Sequence, residues 1–341
     1  MGCFMAKVLR CLVKVAAAGC VAFALLCAFS FVYYNPNSHL PASDGATDYI
    51  REPNRFYSYM TEGYSLGRAD RNGFNNPGDM EDNSQSPNIL VMGSSHIEAM
   101  YVLQSQSFPF QLNQMLKAEG KTVYNIAMSA HQLERCISNL ESALEVYAPK
   151  DYVVIETMAI TFAPDDMEAL LSGTMAKLTS YDTGNWQYWI QQPPYIKLLY
   201  NQLRSIQKSE QVAVTTAPKV SGQAEYQALV EKMVRLLSDT CQKYHVEPIV
   251  CFHPRLILQQ DGSAIPDYSA DDCALFAEAC KRQDVIFVDM TDTFLRNYNE
   301  MHVLPHGFPN TELGTGHLNS DGQYMIAEEI YRVISDRLPV E

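Results

Sequence analysis

From residue 88 onward, short continuous apolar runs alternate with longer stretches of helical periodicity. The runs fall at 88–92, 122–128, 152–155, 248–252 and 285–289, and each has the length and residue types of a strand. An uninterrupted apolar run is what a strand covered on both faces requires. Helical patterning follows the first run to about 118 and recurs at 132–147, 223–244, 270–282 and 320–338. In 132–147, Leu133, Cys136, Ile137, Leu140, Leu144 and Val146 keep helical spacing. In 223–244, Tyr226, Leu229, Val230, Met233, Leu236, Leu237, Thr240 and Cys241 do the same. Strands and helices in alternation predict an α/β fold over 88–341, a three-layer α/β/α sandwich with a mainly parallel sheet. The rhythm breaks at 158–222. Two helical patches near 165–178 and 194–208 flank Trp186 and Trp189, and a linker containing Thr, Pro and Ser closes the stretch. It reads as an insertion or lid, whose aromatic residues either line a groove or pack the insertion itself.

Upstream, residues 15–34 (VAAAGCVAFALLCAFSFVYY) run for 20 positions without a charge, about 30 Å as a helix, the thickness of a bilayer core. Lys7, Arg10 and Lys14 precede this run and no base follows closely, so residues 1–14 are expected in the cytoplasm, 15–34 as an anchor in the cell membrane, and everything after Tyr34 outside. A cleaved secretory signal is the alternative, with Ala28-Phe29-Ser30 as a passable site. Residues 35–87 are polar, rich in Asn, Asp, Gly, Pro and Tyr, and read as an extracytoplasmic stalk ending in loops that pack on the domain.

Charge narrows the partners. The net charge is −14, and because the first 34 residues carry three bases and no acid, the remainder holds −17. Such a surface is unsuited to nucleic acid, which needs clustered Lys and Arg. Of nine cysteines, four lie at or before residue 27. The other five form no CxxC pair, so neither a zinc knuckle nor a disulfide framework is indicated. Cys273 and Cys280 share a helix face about 10 Å apart, too far to bridge there.

Two stretches can carry chemistry. The first strand stops at Gly93-Ser94-Ser95-His96, at the carboxyl edge of the sheet, where ligands collect. The second, residues 306–322, is rich in glycine and brings His317 to the start of the last helix, with Ser320 and Gln323 spaced as a capping box. A serine and a histidine over one sheet edge make a nucleophile and a base, Ser95 attacking an acyl carbon and His317 taking its proton. The Ser95 backbone N–H can bind the developing oxyanion. Ser94, His96, His253 and Asn319 are candidate crevice residues, and His131 is another. His253, His306 and His317, with Glu156 or Asp289, form a weaker metal reading without HxH or i,i+4 spacing, so neither metal nor cofactor is expected.

Gly93-Ser94-Ser95 after a first strand, with Gly316-His317-Leu318-Asn319 before a last helix, resembles the first and last blocks of the SGNH/GDSL hydrolase superfamily. Behind one N-terminal anchor, the pattern is also similar to cell-surface acyl-transfer members such as the D-alanyl transfer proteins of teichoic acid biosynthesis. The likeness covers about 88–338. It implies Ser95 as nucleophile, His317 as base, and backbone N–H groups of Ser95 and Ala130 as the oxyanion hole. Three departures stand out. Ala130 replaces the usual glycine, the strand ending Val154-Ile155-Glu156-Thr157 offers no asparagine, and Gly314 occupies the position of the acid three residues before the histidine. Glu312, Asp292 or Asp289 would then be the third member, or the site is a Ser–His dyad. The implied function is a membrane-anchored serine esterase or O-acyltransferase acting on acyl esters of a glycan or envelope polymer, working beside a membrane acyl-transfer protein. An inactive envelope-binding module on the same fold is the rival, and a metal-dependent phosphoesterase a third option.

Overall fold

Ordered structure begins well before residue 88. The computed structural model describes residues 2–178, 186–190, 192–209 and 222–337. Helix α1 (Gly2–Tyr33) starts thirteen residues ahead of the expected span, since no proline interrupts the segment before it. Its Phe4–Tyr33 stretch is long and apolar enough to cross a membrane, with a mean hydropathy of 2.4 and almost no burial. The segment expected to be a stalk folds instead into two short antiparallel pairs, β1 (His39–Pro41) with β2 (Tyr49–Arg51), and β3 (Phe56–Tyr59) with β4 (Ser65–Arg68). Strands of three or four residues are too short for their alternation to register in a sequence window. They are nevertheless tied down: Tyr57 and Phe74 are buried, and Arg51 Nε and Nη2 donate to Glu98 Oε1 and Oε2 at 2.6 and 2.8 Å.

The central sheet is wholly parallel, in the order β11-β8-β7-β5-β6. Its strands are β5 (Ile89–Met92), β6 (Val123–Asn125), β7 (Tyr152–Thr157), β8 (Glu247–Phe252) and β11 (Ile286–Asp289). The chain goes from β5 outward to β6, then crosses back to β7 on the other side of β5. That reversal opens a crevice at the carboxyl end of β5. Successive side chains of a strand face opposite ways, and two cores result. Leu90, Met92, Val153, Ile155, Val250 and Phe252 pack with α4 (Leu133–Tyr147), α5 (Pro164–Leu171), α8 (Gln223–Lys243) and α9 (Ala270–Arg282). Ile89, Val91, Val154, Ile249 and Cys251 pack with α3 (Phe108–Leu116), α10 (Thr291–Met301) and α11 (Ser320–Ser335). The three-layer α/β/α sandwich is as expected. Cys273 and Cys280 are free and buried on α9.

Some elements were not anticipated. The hairpin β9 (Leu256–Leu258) and β10 (Ala264–Pro266) is again short. Helix α10 buries only Thr291, Phe294 and Tyr298, too sparse a stripe to stand out. In the 158–222 insertion, α5 packs on α8, while α7 (Pro194–Ser209) lies against α1, where the Phe23 and Tyr195 rings meet edge to face. Trp186 and Trp189 lie on the short helix α6 (Trp186–Ile190) with their side chains mostly exposed. The Thr/Pro/Ser linker at 210–221 lies outside the described residues.

Candidate active site

Strand β5 is buried along its length and ends at Gly93. A Cβ there would sit 2.6 Å from Glu156 Oε2, so only glycine lets this turn pass the carboxylate at the end of β7. Ser94 is fully committed. It caps the short helix α2 (Ser95–Glu98) by accepting from His96 N at 3.3 Å, and its own N–H donates to Glu156 Oε2 at 2.7 Å. With the N–H groups of Ser94 and His96 spent, that of Ser95 has no acceptor among the described residues. Ser95 Oγ lies 2.9 Å from His317 Nε2. The structure therefore brings together the two residues singled out from the sequence, 222 positions apart.

The carboxylate on the far side of His317 is Glu62. Its Oε2 lies 2.7 Å from His317 Nδ1, and its Oε1 accepts the His317 backbone N–H. Glu312, Asp292 and Asp289 do not take this place, and all three are exposed. Asp289 Oδ1 instead accepts from Thr291 N at the start of α10, Asp292 stands in the first turn of that helix, and the Glu312 carbonyl accepts from Thr315 Oγ1. Glu62 sits in the turn between β3 and β4, and Asn310 clamps that turn to the His317 loop. Asn310 Oδ1 accepts from Gly63 N at 2.8 Å while Nδ2 donates to Met60 O at 2.9 Å. Gly316, at φ +79°, makes room: a Cβ there would come within 2.2 Å of Glu62 Oε1. Nothing in the sequence signals Glu62, because it lies 255 residues from its partner in a segment without visible periodicity.

Burial alone would raise the pKa of Glu62, but the hydrogen bonds and charge of His317 outweigh it and hold the carboxyl below its ordinary range. An ionised Glu62 can only accept, so Nδ1 carries the ring proton and Nε2 is left to accept from the Ser95 hydroxyl. Tyr101 stacks on the His317 ring at 4.0 Å between centroids and fixes its plane. One turn beyond Ser95, Glu98 accepts from Ser129 N at 3.0 Å as well as from Arg51. This joins the Ser95 helix to the turn that carries Ala130, an exposed residue at φ +62°.

Other candidate residues have different employment. Asn319 is the N-cap of α11, its Oδ1 accepting from Asp321 and Gly322 N–H and its Nδ2 donating to Leu304 and Gly307 carbonyls. The expected Ser320–Gln323 box is displaced, because Gln323 is buried and reaches across to Phe108 N and His96 O. His131 is buried between Asp48 N and Ser129 O. His253 and His306 do come together, but with His96 in place of His317. Their ring centroids lie 5.0 to 5.7 Å apart, and His253 Nε2 meets Glu156 Oε1 at 2.6 Å. Burial in this cluster holds His96 and His306 well below the usual imidazole pKa, and so neutral.

No family model and no curated protein matches this chain. Among solved structures it is similar to TesA, at 14% identity and a TM-score of 0.40 over 73% of this chain and 99% of that one. The acetyl xylan esterase AlAXEase gives 13% identity and 0.42 over 72% and 99%. A psychrotrophic esterase, EstA from Pseudoalteromonas sp., gives 16% and 0.38 over 73% and 97%.

Proposed function

We propose that this chain is a membrane-anchored serine hydrolase or O-acyltransferase of the SGNH type, acting on acyl esters outside the membrane. The hydrogen-bonded chain Glu62–His317–Ser95 at the sheet crevice carries this reading. Ser95 Oγ attacks the acyl carbon and gives its proton to His317 Nε2. The tetrahedral oxyanion is held by the N–H groups of Ser95 and Ala130. Collapse expels the alcohol, which leaves with the proton from His317, and an acyl-Ser95 ester remains. Water or a sugar hydroxyl then attacks that ester, passing its proton to His317, which returns it to Ser95. Water gives an esterase, a sugar hydroxyl a transferase.

The rival reading of an inactive module rests on the missing acid and the missing asparagine, and Glu62 answers the first, since its carboxylate lies on His317 Nδ1. The apolar α1, with Lys7, Arg10 and Lys14 near its start, supports a single-pass anchor with the N-terminus in the cytoplasm. An acylated envelope glycan suits a site held beside a membrane, and a membrane acyl-transfer protein is the partner a transferase would need. The test is labelling of the detergent-solubilised chain with a fluorophosphonate probe. Wild type is expected to label, and Ser95→Ala and His317→Ala are not. A folded wild type that stays unlabelled removes the activated serine, and labelling that survives Ser95→Ala but not Ser94→Ala moves it by one residue.

A further inference from the structure

We propose that His96, His253 and His306 form a binding site for Zn2+ directly behind the Ser95 turn. Each offers one ring nitrogen, and these nitrogens all lie within 4.8 Å of one another. A tetrahedral zinc with bonds of about 2.0–2.1 Å to nitrogen spaces its ligands roughly 3.4 Å apart, so small side-chain movements would close the site. Three features single this cluster out from ordinary packed histidines. His253 Nδ1 and both nitrogens of His306 are buried without a hydrogen-bond partner among the described residues, an arrangement native structures rarely leave unanswered. His306 is itself only 1% exposed and His253 is fully buried, so bulk water does not satisfy them. The remaining nitrogen of His253 is held by Glu156 at 2.6 Å. A carboxylate behind an imidazole fixes its tautomer and strengthens it as a metal ligand.

Glu156 also supplies the buried negative charge that a divalent cation needs nearby. His96 completes the set: its Nδ1 accepts from Leu318 N at 3.2 Å, and its ring lies 5.0 Å from that of His253 and 5.7 Å from that of His306. The ligands come from three separate segments. His96 adjoins Ser95, His253 follows β8, and His306 is bridged to Leu318, the neighbour of His317. A metal here would pin the serine turn and the histidine loop to the sheet without touching the reacting acyl group. The site stands independently of the serine reading, because its ligands and its test do not involve Ser95 or His317.

The experiment uses the full chain in detergent, purified without a polyhistidine tag, stripped with chelator and dialysed against Zn2+ or Co2+. We expect about one metal per chain by elemental analysis, and visible d–d absorption from nitrogen-coordinated Co2+. Glu156→Gln should weaken binding by about 10- to 100-fold, and His306→Gln should abolish stoichiometric uptake, with circular dichroism reporting the fold of each variant. Folded wild type that takes up no Co2+, or folded His306→Gln that takes up as much as wild type, overturns the proposal. Should a variant fail to fold, the wild-type stoichiometry and spectrum decide alone. Stoichiometric metal in a wild type that fails to label with fluorophosphonate would leave this site standing and remove only the serine reading.

Discussion

Two carboxylate–histidine pairs meet at this sheet edge, with the His96 ring 5.0 Å from the histidine of each. Glu62–His317 has its partners at 2.7 Å and Glu156–His253 at 2.6 Å. Their surroundings differ. The first pair is about one-fifth exposed, and its free imidazole nitrogen faces a hydroxyl. The second is fully buried, and its free nitrogen faces two more imidazoles. In both, the carboxylate does the same work of fixing a tautomer and a ring plane. What the remaining nitrogen sees, and whether a substrate can reach it, separates a proton carrier from a structural or metal-holding group.

Substitutions that strip one pair and spare the other sharpen that contrast. The largest effect is expected from the group the exposed pair serves. Ser95→Ala should lower turnover of a small aryl acetate by a factor on the order of 10⁶, as loss of a nucleophile does. Glu62→Gln should follow at about 10⁴, because an amide no longer enforces the productive tautomer of His317. Glu156→Gln should retain most of the turnover while Ser95 stays labelled. Equal losses from Glu62→Gln and Glu156→Gln would mean that the two pairs are not functionally distinct. Gly316→Ala sets a Cβ against Glu62 Oε1 and should cost about 10² by displacing the carboxylate, the scale of an ångström's misplacement. Its circular dichroism spectrum should match wild type.

The exposed pair and the buried pair were not equally legible in the sequence. Ser95 and His317 each sit at the junction of a strong periodic element with a glycine-rich turn, and it is the two junctions together, with their family resemblance, that make both legible. Their meeting follows from the parallel order of the sheet. Glu62 is invisible because it reaches the site on the turn between two four-residue strands, which their own backbone ladder and the Asn310–Gly63 contact hold in place and no periodicity marks. Local patterning favours carboxylates near His317 or at strand ends, yet Asp289 is turned to the Thr291 N–H at the start of α10. The histidine cluster is half legible: the sequence groups His253 with His306 but places His96 in the crevice. Which side chain of the Ser95–His96 turn points inward depends on the Ser94 cap, a detail of one turn that no hydropathy pattern encodes.

Acid titration gives the smallest expected effect and separates the pairs once more. Both carboxyls carry depressed pKa values against the pull of burial: Glu62 through its bonds to His317, Glu156 through His253 first and the Ser94 N–H last. A carboxyl depressed in the folded state stabilises it fully above the ordinary value of 4.5, and that contribution fades as pH falls through the lower folded value. Denaturant midpoints of wild type should therefore decline on acidification below about pH 4.5. Glu156→Gln should lose about 1–3 kcal/mol at pH 7, because Ser94 N and His253 lose a charged acceptor in a site closed to water. It should also show a shallower acid slope than wild type. Glu62→Gln should flatten the slope less, since solvent reaches and screens that pair. Identical acid slopes in all three proteins would show that neither carboxyl is ionised by its histidine, and the distinction between an exposed and a buried pair would lose its electrostatic basis.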